Sequence, residues 1–270
     1  MMISHQPIGI FDSGVGGLTV AHAVRTCLPH EDIVYFGDTL HLPYGDKSVP
    51  TIQSYAIKIC DFLLKKHCKV ILIACNSAST AAYDLIKDYV GEQAQVLDVI
   101  DPVVTVLAAH YTHANIGLIG TRQTVSSRVY ENKLYALNQT IHLKSLATPL
   151  LAPMIEEGYC HNKITQSVIE EYLHDPVLEN IQALVLACTH YPLIKDQISQ
   201  FYKNKVEVID GSVLVANRLM QLLLEKNIKN EQKKQGEVHF YVSDYTDSFS
   251  QSAKLFFQDK IQLEHCLFEG

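Results

Sequence analysis

The chain has no surplus of basic residues: 22 Lys and Arg stand against 29 Asp and Glu, for a formal net charge of −7. A nucleic-acid partner is therefore not expected, because such binders present a clustered basic face to the phosphates. The one Lys-rich stretch, Lys226 to Lys234, is interleaved with Glu and Asn and reads as a solvated loop. No uninterrupted apolar run reaches the roughly 18 residues that cross a bilayer, so no membrane partner is expected. The start, Met1-Met2-Ile3-Ser4-His5-Gln6-Pro7, has neither a basic region nor a long apolar one, and no secretory signal is expected. With an odd count of seven cysteines, this predicts a cytoplasmic setting and thiols instead of disulfides.

Several chemical signatures are missing as well. The turn Ser13-Gly14-Val15-Gly16-Gly17 is not G-x-G-x-x-G and lacks the Gly-Lys-Ser/Thr of a phosphate-binding loop, which argues against a nucleotide site. Asp12 ends an apolar run as phosphotransfer aspartates do, but Gly14 stands where a second acid would be. No closely spaced cysteine pair and no second histidine at ligand spacing accompany Cys75, Cys188 and His190, which argues against zinc. No lysine sits in an obvious pyridoxal-phosphate context. The expectation is an apoprotein that works without cofactor or metal.

What the chain does have is one segment written twice. Val70-Ile71-Leu72-Ile73-Ala74-Cys75-Asn76-Ser77 is echoed by Ala183-Leu184-Val185-Leu186-Ala187-Cys188-Thr189-His190. Ile8-Gly9-Ile10-Phe11-Asp12-Ser13 is echoed by Ile116-Gly117-Leu118-Ile119-Gly120-Thr121, and Val99-Ile100-Asp101 by Val208-Ile209-Asp210, at nearly the same offset. Apolar runs of buried-strand length begin near residues 8, 33, 70, 95, 116, 184, 206 and 238. Between most of them lie stretches with one apolar face at helix spacing, as in 17–27, 51–66 and 212–226. The pattern predicts an α/β fold of two pseudo-symmetric, doubly wound parallel-sheet domains with the active site in the cleft between them. Residues 1–99 plus 210–270 would form the first domain and 100–209 the second, the final stretch folding back onto the first half.

Each repeated cysteine falls at the carboxyl end of a strand, where open α/β sheets bind ligands, and beside a predicted helix start. A helix N-terminus favours thiolate, so a lowered thiol pKa is expected at Cys75 and Cys188. Asn76 and Ser77 in one copy, and Thr189 and His190 in the other, add donors suited to a carboxylate. Asp12 and His190 can take a proton from a thiol or orient it; Asp12 as a helix cap and His190 as a satisfied polar residue remain alternatives. A hydrolase with one cysteine nucleophile would leave the second cysteine unexplained. Cys27, Cys60, Cys68, Cys160 and Cys266 read as small hydrophobes or surface thiols.

Five segments together carry a family resemblance: Ile10-Phe11-Asp12-Ser13-Gly14-Val15-Gly16-Gly17-Leu18, Leu42-Pro43-Tyr44-Gly45, Ala74-Cys75-Asn76-Ser77-Ala78, Glu156-Glu157-Gly158 and Ala187-Cys188-Thr189-His190-Tyr191-Pro192. In order and spacing, over nearly the whole chain, they resemble the bacterial glutamate racemases of the cofactor-independent Asp/Glu racemase family. Ser77, where many members carry Thr, keeps the hydroxyl. The resemblance implies an isomerase in which Cys75 and Cys188 flank the Cα of glutamate and supply D-glutamate for peptidoglycan. It implies substrate contacts from Asp12, Ser13, Tyr44, Gly45, Asn76, Ser77, Thr121, Thr124, Thr189 and His190. Asp12 and His190 would assist the cysteines, and Glu156, with Glu157 as competitor, would support His190. A racemase of aspartate or another acidic amino acid, and a non-catalytic amino-acid-binding protein, stay open as alternatives. The expected partner is a small-molecule substrate; a homodimer is left open.

Overall fold

The computed structural model describes residues 4–160, 162–257 and 261–266. Residues 1–3, 258–260 and 267–270, which the sequence assigns to the first domain, and residue 161 of the second lie outside the described residues. One sheet contains β1 (Ile8–Asp12), β2 (Ile33–Gly37), β3 (Val70–Ile73) and β4 (Gln95–Asp98); the other contains β5 (Asn115–Gly120), β6 (His142–Ala147), β7 (Ala183–Ala187) and β8 (Glu207–Ile209). The chain then returns to the first sheet with β9 (Val238–Val242) and β10 (Leu263–His265). The strand orders are β10-β9-β2-β1-β3-β4 and β6-β5-β7-β8, and every pair is parallel. Helices cover the faces of parallel sheets, so central strands must be apolar on both sides. Accordingly every residue of β1, β3 and β7 is buried.

The order β2-β1-β3-β4 recurs as β6-β5-β7-β8, so the duplicated segments occupy equivalent places. In both halves the chain reverses its direction of winding between the central strand and the strand after next, and the cysteines follow β3 and β7 at those switch points. Strand register corrects one of the three sequence pairings. Leu72 faces Leu97 and Val185 faces Ile209, and aligning the cysteines makes Leu72 and Val185 counterparts. Asp98, not Asp101, is therefore the counterpart of Asp210. Both aspartates close the turn that starts the next helix: Asp98 Oδ1 accepts from the Asp101 N–H and Asp210 Oδ1 from the Ser212 N–H, each at 2.9 Å.

The helices that follow these aspartates cross between the halves. Helix Ile100–His110 packs on helix Val129–Leu137 of the second half, and helix Ser212–Glu225 packs on helix Leu18–Cys27 of the first. Val215, Ala216, Leu219 and Leu223, spaced one, three and four apart, form the buried stripe of the second crossing helix. Two helices exchanged in this way bring the carboxyl ends of both sheets to one cleft. No helix among the described residues is long and apolar enough to cross a membrane.

Candidate active site

Cys75 is the N-cap of helix Asn76–Val90, and its Sγ accepts the Ala78 N–H at 3.4 Å where a serine or aspartate oxygen would ordinarily serve. Cys188 leaves β7 differently. It leads through Thr189 and His190 into the 3-10 turn Tyr191–Ile194, with Tyr191 donating its N–H to Cys188 O at 3.2 Å. Buried Tyr191 anchors that turn by hydrogen bonding to Thr148. The expected helix start is thus an α-helix behind one thiol and a 3-10 turn behind the other.

Ser13, Tyr44, Gly45, Cys75, Asn76, Ser77, Thr121, Glu156, Cys188, Thr189 and His190, all sequence candidates, line one cavity of about 30 Å³, together with Pro43, Ala152 and Ala187. Asp12 and Thr124 are not in its wall. Thr124 lies behind Thr121, whose Oγ1 accepts the Thr124 N–H at 3.2 Å and donates to Thr124 Oγ1 at 3.0 Å. Asp12 is wholly buried; its carboxylate accepts the Gly14 N–H at 3.0 Å and the Thr189 hydroxyl at 3.4 Å. Asp12 therefore reaches the cavity through the residue next to Cys188, while Cys75 Sγ hydrogen-bonds to the Ser13 hydroxyl at 3.6 Å.

Electrostatics distinguish the two thiols. Burial pushes the Cys75 thiol up to about 12, and the Asp12 charge adds to this, while the N–H groups of Ala78 and Ser13 and the Ser13 hydroxyl offset part of it. The lowered pKa expected from the helix N-terminus is overturned at Cys75, because desolvation outweighs the dipole. Asp12 itself is raised by burial, against the opposing pull of His190 and the Gly17 and Gly14 N–H groups. Cys188 has a proton-exchanging partner at hand: its Sγ lies 3.5 Å from His190 Nδ1, and His190 Nε2 lies 2.8 Å from Glu156 Oε1. Burial penalises the His190 cation, but the charges of Glu156 and Cys188 and hydrogen bonds to both hold it well above the usual histidine range. Of the competing acids, Glu156 makes this contact.

Contacts across the halves set these groups. A Cβ on Gly16 would fall 2.4 Å from His190 Cε1 and 2.6 Å from Thr189 Oγ1, so only glycine lets the first half approach the Cys188 turn. None of Gly14, Gly16 and Gly17 adopts a left-handed backbone; close approach accounts for Gly16 and for Gly17, where a Cβ would fall 2.4 Å from Asp12 Cβ, while a Cβ on Gly14 would meet only ordinary contacts at 3.5 Å. Ser77 Oγ meets Thr121 Oγ1 at 2.9 Å across the cleft. Two residues that sequence alone did not single out also belong here. Asp38 is buried at the end of β2, accepting the Tyr44 hydroxyl at 2.5 Å and the Ser243 hydroxyl at 2.7 Å. Tyr130, from the second half, donates to Asn76 Oδ1 at 2.7 Å. The signal that could have found Asp38 is an acid directly after a wholly apolar strand, as with Asp12.

Taken together, this fold and site define an isomerase, an enzyme of the racemase class. The chain belongs to the Asp/Glu/Hydantoin racemase family, which it matches over residues 19–219. It is similar to the glutamate racemase of Syntrophus aciditrophicus (strain SB), 38% identical over 93% of this chain and 92% of that one. A second glutamate racemase, from Chlorobaculum parvum, is 38% identical over 94% of this chain and 93% of its own. Among solved structures, glutamate racemase from Francisella tularensis subsp. tularensis SCHU S4 in complex with D-glutamate superposes with a TM-score of 0.91 at 37% identity, covering 99% of this chain and 98% of that one.

Proposed function

We propose that this chain is a glutamate racemase that interconverts L- and D-glutamate without a cofactor, using Cys75 and Cys188 as the two bases. The observation that carries the reading is the pair of thiols at equivalent switch points of duplicated halves, both lining one cavity. Inverting a stereocentre by proton transfer needs a base on one face of the carbon and an acid on the other. In this reading one cysteine, as thiolate, takes the Cα proton; the C–H electron pair moves into the carboxylate, and the other cysteine returns a proton from the opposite face. The two cysteines exchange protonation states, and the reverse reaction starts from the state so left. The α-proton is very weakly acidic, so the developing charge must be stabilised by donors in a site closed to water.

The roles follow from position. His190, held by Glu156, would manage the proton on Cys188; Asp12 would act beside Thr189 on the substrate ammonium or on proton transfer at Cys75. Ser13, Tyr44, Gly45, Asn76, Ser77, Thr121, Thr189 and His190 would hold the two carboxylates and the ammonium, with Thr124 bracing Thr121. The working units are residues 1–99 plus 210–270 and residues 100–209. The product would serve peptidoglycan synthesis, in the cytoplasm.

Purified protein assayed without added cofactor should convert L-glutamate to D-glutamate and back, and should do so far faster than it converts aspartate. Faster turnover of aspartate would reassign the substrate. Binding of glutamate with no loss or exchange of its α-hydrogen would make the chain a binding protein.

A further inference from the structure

Tyr130 lies in the second half, on helix Val129–Leu137, and is buried with its hydroxyl 2.7 Å from Asn76 Oδ1 of the first half. Asn76 directly follows Cys75 and lines the cavity. An asparagine amide can turn either end towards a partner, and which end faces a ligand depends on what holds the other. Among the described residues the Tyr130 hydroxyl has no second hydrogen-bond partner, so if it accepted from the Asn76 NH2 its own O–H would be buried without an acceptor. That arrangement is costly, and donation to Oδ1 avoids it. Burial, with the Asp98 and Cys188 charges nearby, also keeps the phenol protonated and hence a donor. With Oδ1 engaged, both N–H groups of the Asn76 amide are left for the cavity, and no described side chain accepts from them.

We infer that Tyr130 is a positioning residue: it fixes the Asn76 amide so that its NH2 faces the cavity as a donor to a substrate carboxylate. The inference rests on the glutamate-racemase reading given above. It also means that the donor beside Cys75 is set only when the second half is docked on the first. Tyr130 thus makes carboxylate recognition at one cysteine depend on an element of the half that carries the other.

Tyr130→Phe keeps the ring and removes only the donor. The expected result is a KM for both enantiomers raised about tenfold, with kcat within about threefold and its pH profile unmoved. Asn76→Ala should raise KM at least as much, and Tyr130→Phe/Asn76→Ala should be no worse than Asn76→Ala alone, because the hydroxyl acts through that amide. Leu134→Ala, a buried truncation one turn further along the same helix, supplies the contrast: it should lower the melting temperature while leaving KM within about twofold. An unchanged KM in Tyr130→Phe, multiplicative losses in the double variant, or an equal KM rise in Leu134→Ala would each overturn the inference. A parent protein that interconverts no glutamate would instead overturn the reading beneath it, so the two failures are told apart.

Discussion

Burial disfavours charge beside both thiols, but only one is compensated: it suppresses the charge on Cys75, while the pairing of His190 with Glu156 gives Cys188 a charged neighbour at 3.5 Å. If both thiols are bases, Cys75→Ser and Cys188→Ser should each lower kcat by at least about 10²–10⁴-fold with the fold intact by circular dichroism. Cys266→Ser, at the far edge strand, should leave it unchanged. Near-parental turnover in either of the first two would remove that cysteine from the mechanism. Asp12→Asn and His190→Asn should slow the two directions unequally. Because the equilibrium constant of a racemisation is one, the ratio of kcat/KM values cannot change, and the asymmetry must appear in kcat and KM together; equal losses in both directions would leave these residues only as substrate contacts. Stability carries a further sign. Folding raises the His190 pKa above its ordinary 6.5, so the folded state keeps a proton that the unfolded chain releases. The stabilisation is full below pH 6.5 and is lost as pH rises through the folded-state value. The melting-temperature gap between parent and His190→Asn should therefore narrow on going alkaline; a widening gap would contradict the assigned charge.

The glycine turn after β1 and the turn after β7 work as one element, and Gly16 is where they touch. Gly16→Ala should push His190 and Thr189 aside and lower kcat/KM by about 10²-fold, the usual cost of an ångström of misplacement, with a small change in melting temperature. Unaltered kinetics would mean that the His190 position is not critical. The central elements were legible because parallel strands buried on both faces write continuous apolar runs, as Val70 to Ile73 does. β6 was not, since His142–Ala147 is an edge strand with no fully buried residue, and neither was β10, three residues long at an edge of the other sheet. The true partner of Asp210 was hidden because Val-Ile-Asp recurs three residues beyond Asp98, and only the register of β3 against β4 separates the two. Cys75, Cys188 and His190 could be read from local repetition. Asp38 and Tyr130 could not, because their partners Ser243 and Asn76 come from distant parts of the chain.

At the scale of the whole molecule, the exchanged helices after Asp98 and Asp210 make the cleft a joint between halves. Its cavity is small, about 30 Å³, and the account predicts that the halves move apart to admit an amino acid. Backbone hydrogen exchange around Asp98 and Asp210 should slow on saturation with D-glutamate, and exchange indifferent to ligand would count against such opening. The repeat also dictates the stereochemical claim, one base from each half on each face of Cα. That claim is tested most directly by running L-glutamate to low conversion in deuterium oxide. The account predicts D-glutamate labelled at Cα while recovered L-glutamate stays largely unlabelled, because the thiol that protonates the product carries a solvent-derived hydron and not the proton just removed. Substantial unlabelled D-glutamate at low conversion would contradict it, since a single group would then be carrying the same hydrogen from one face to the other.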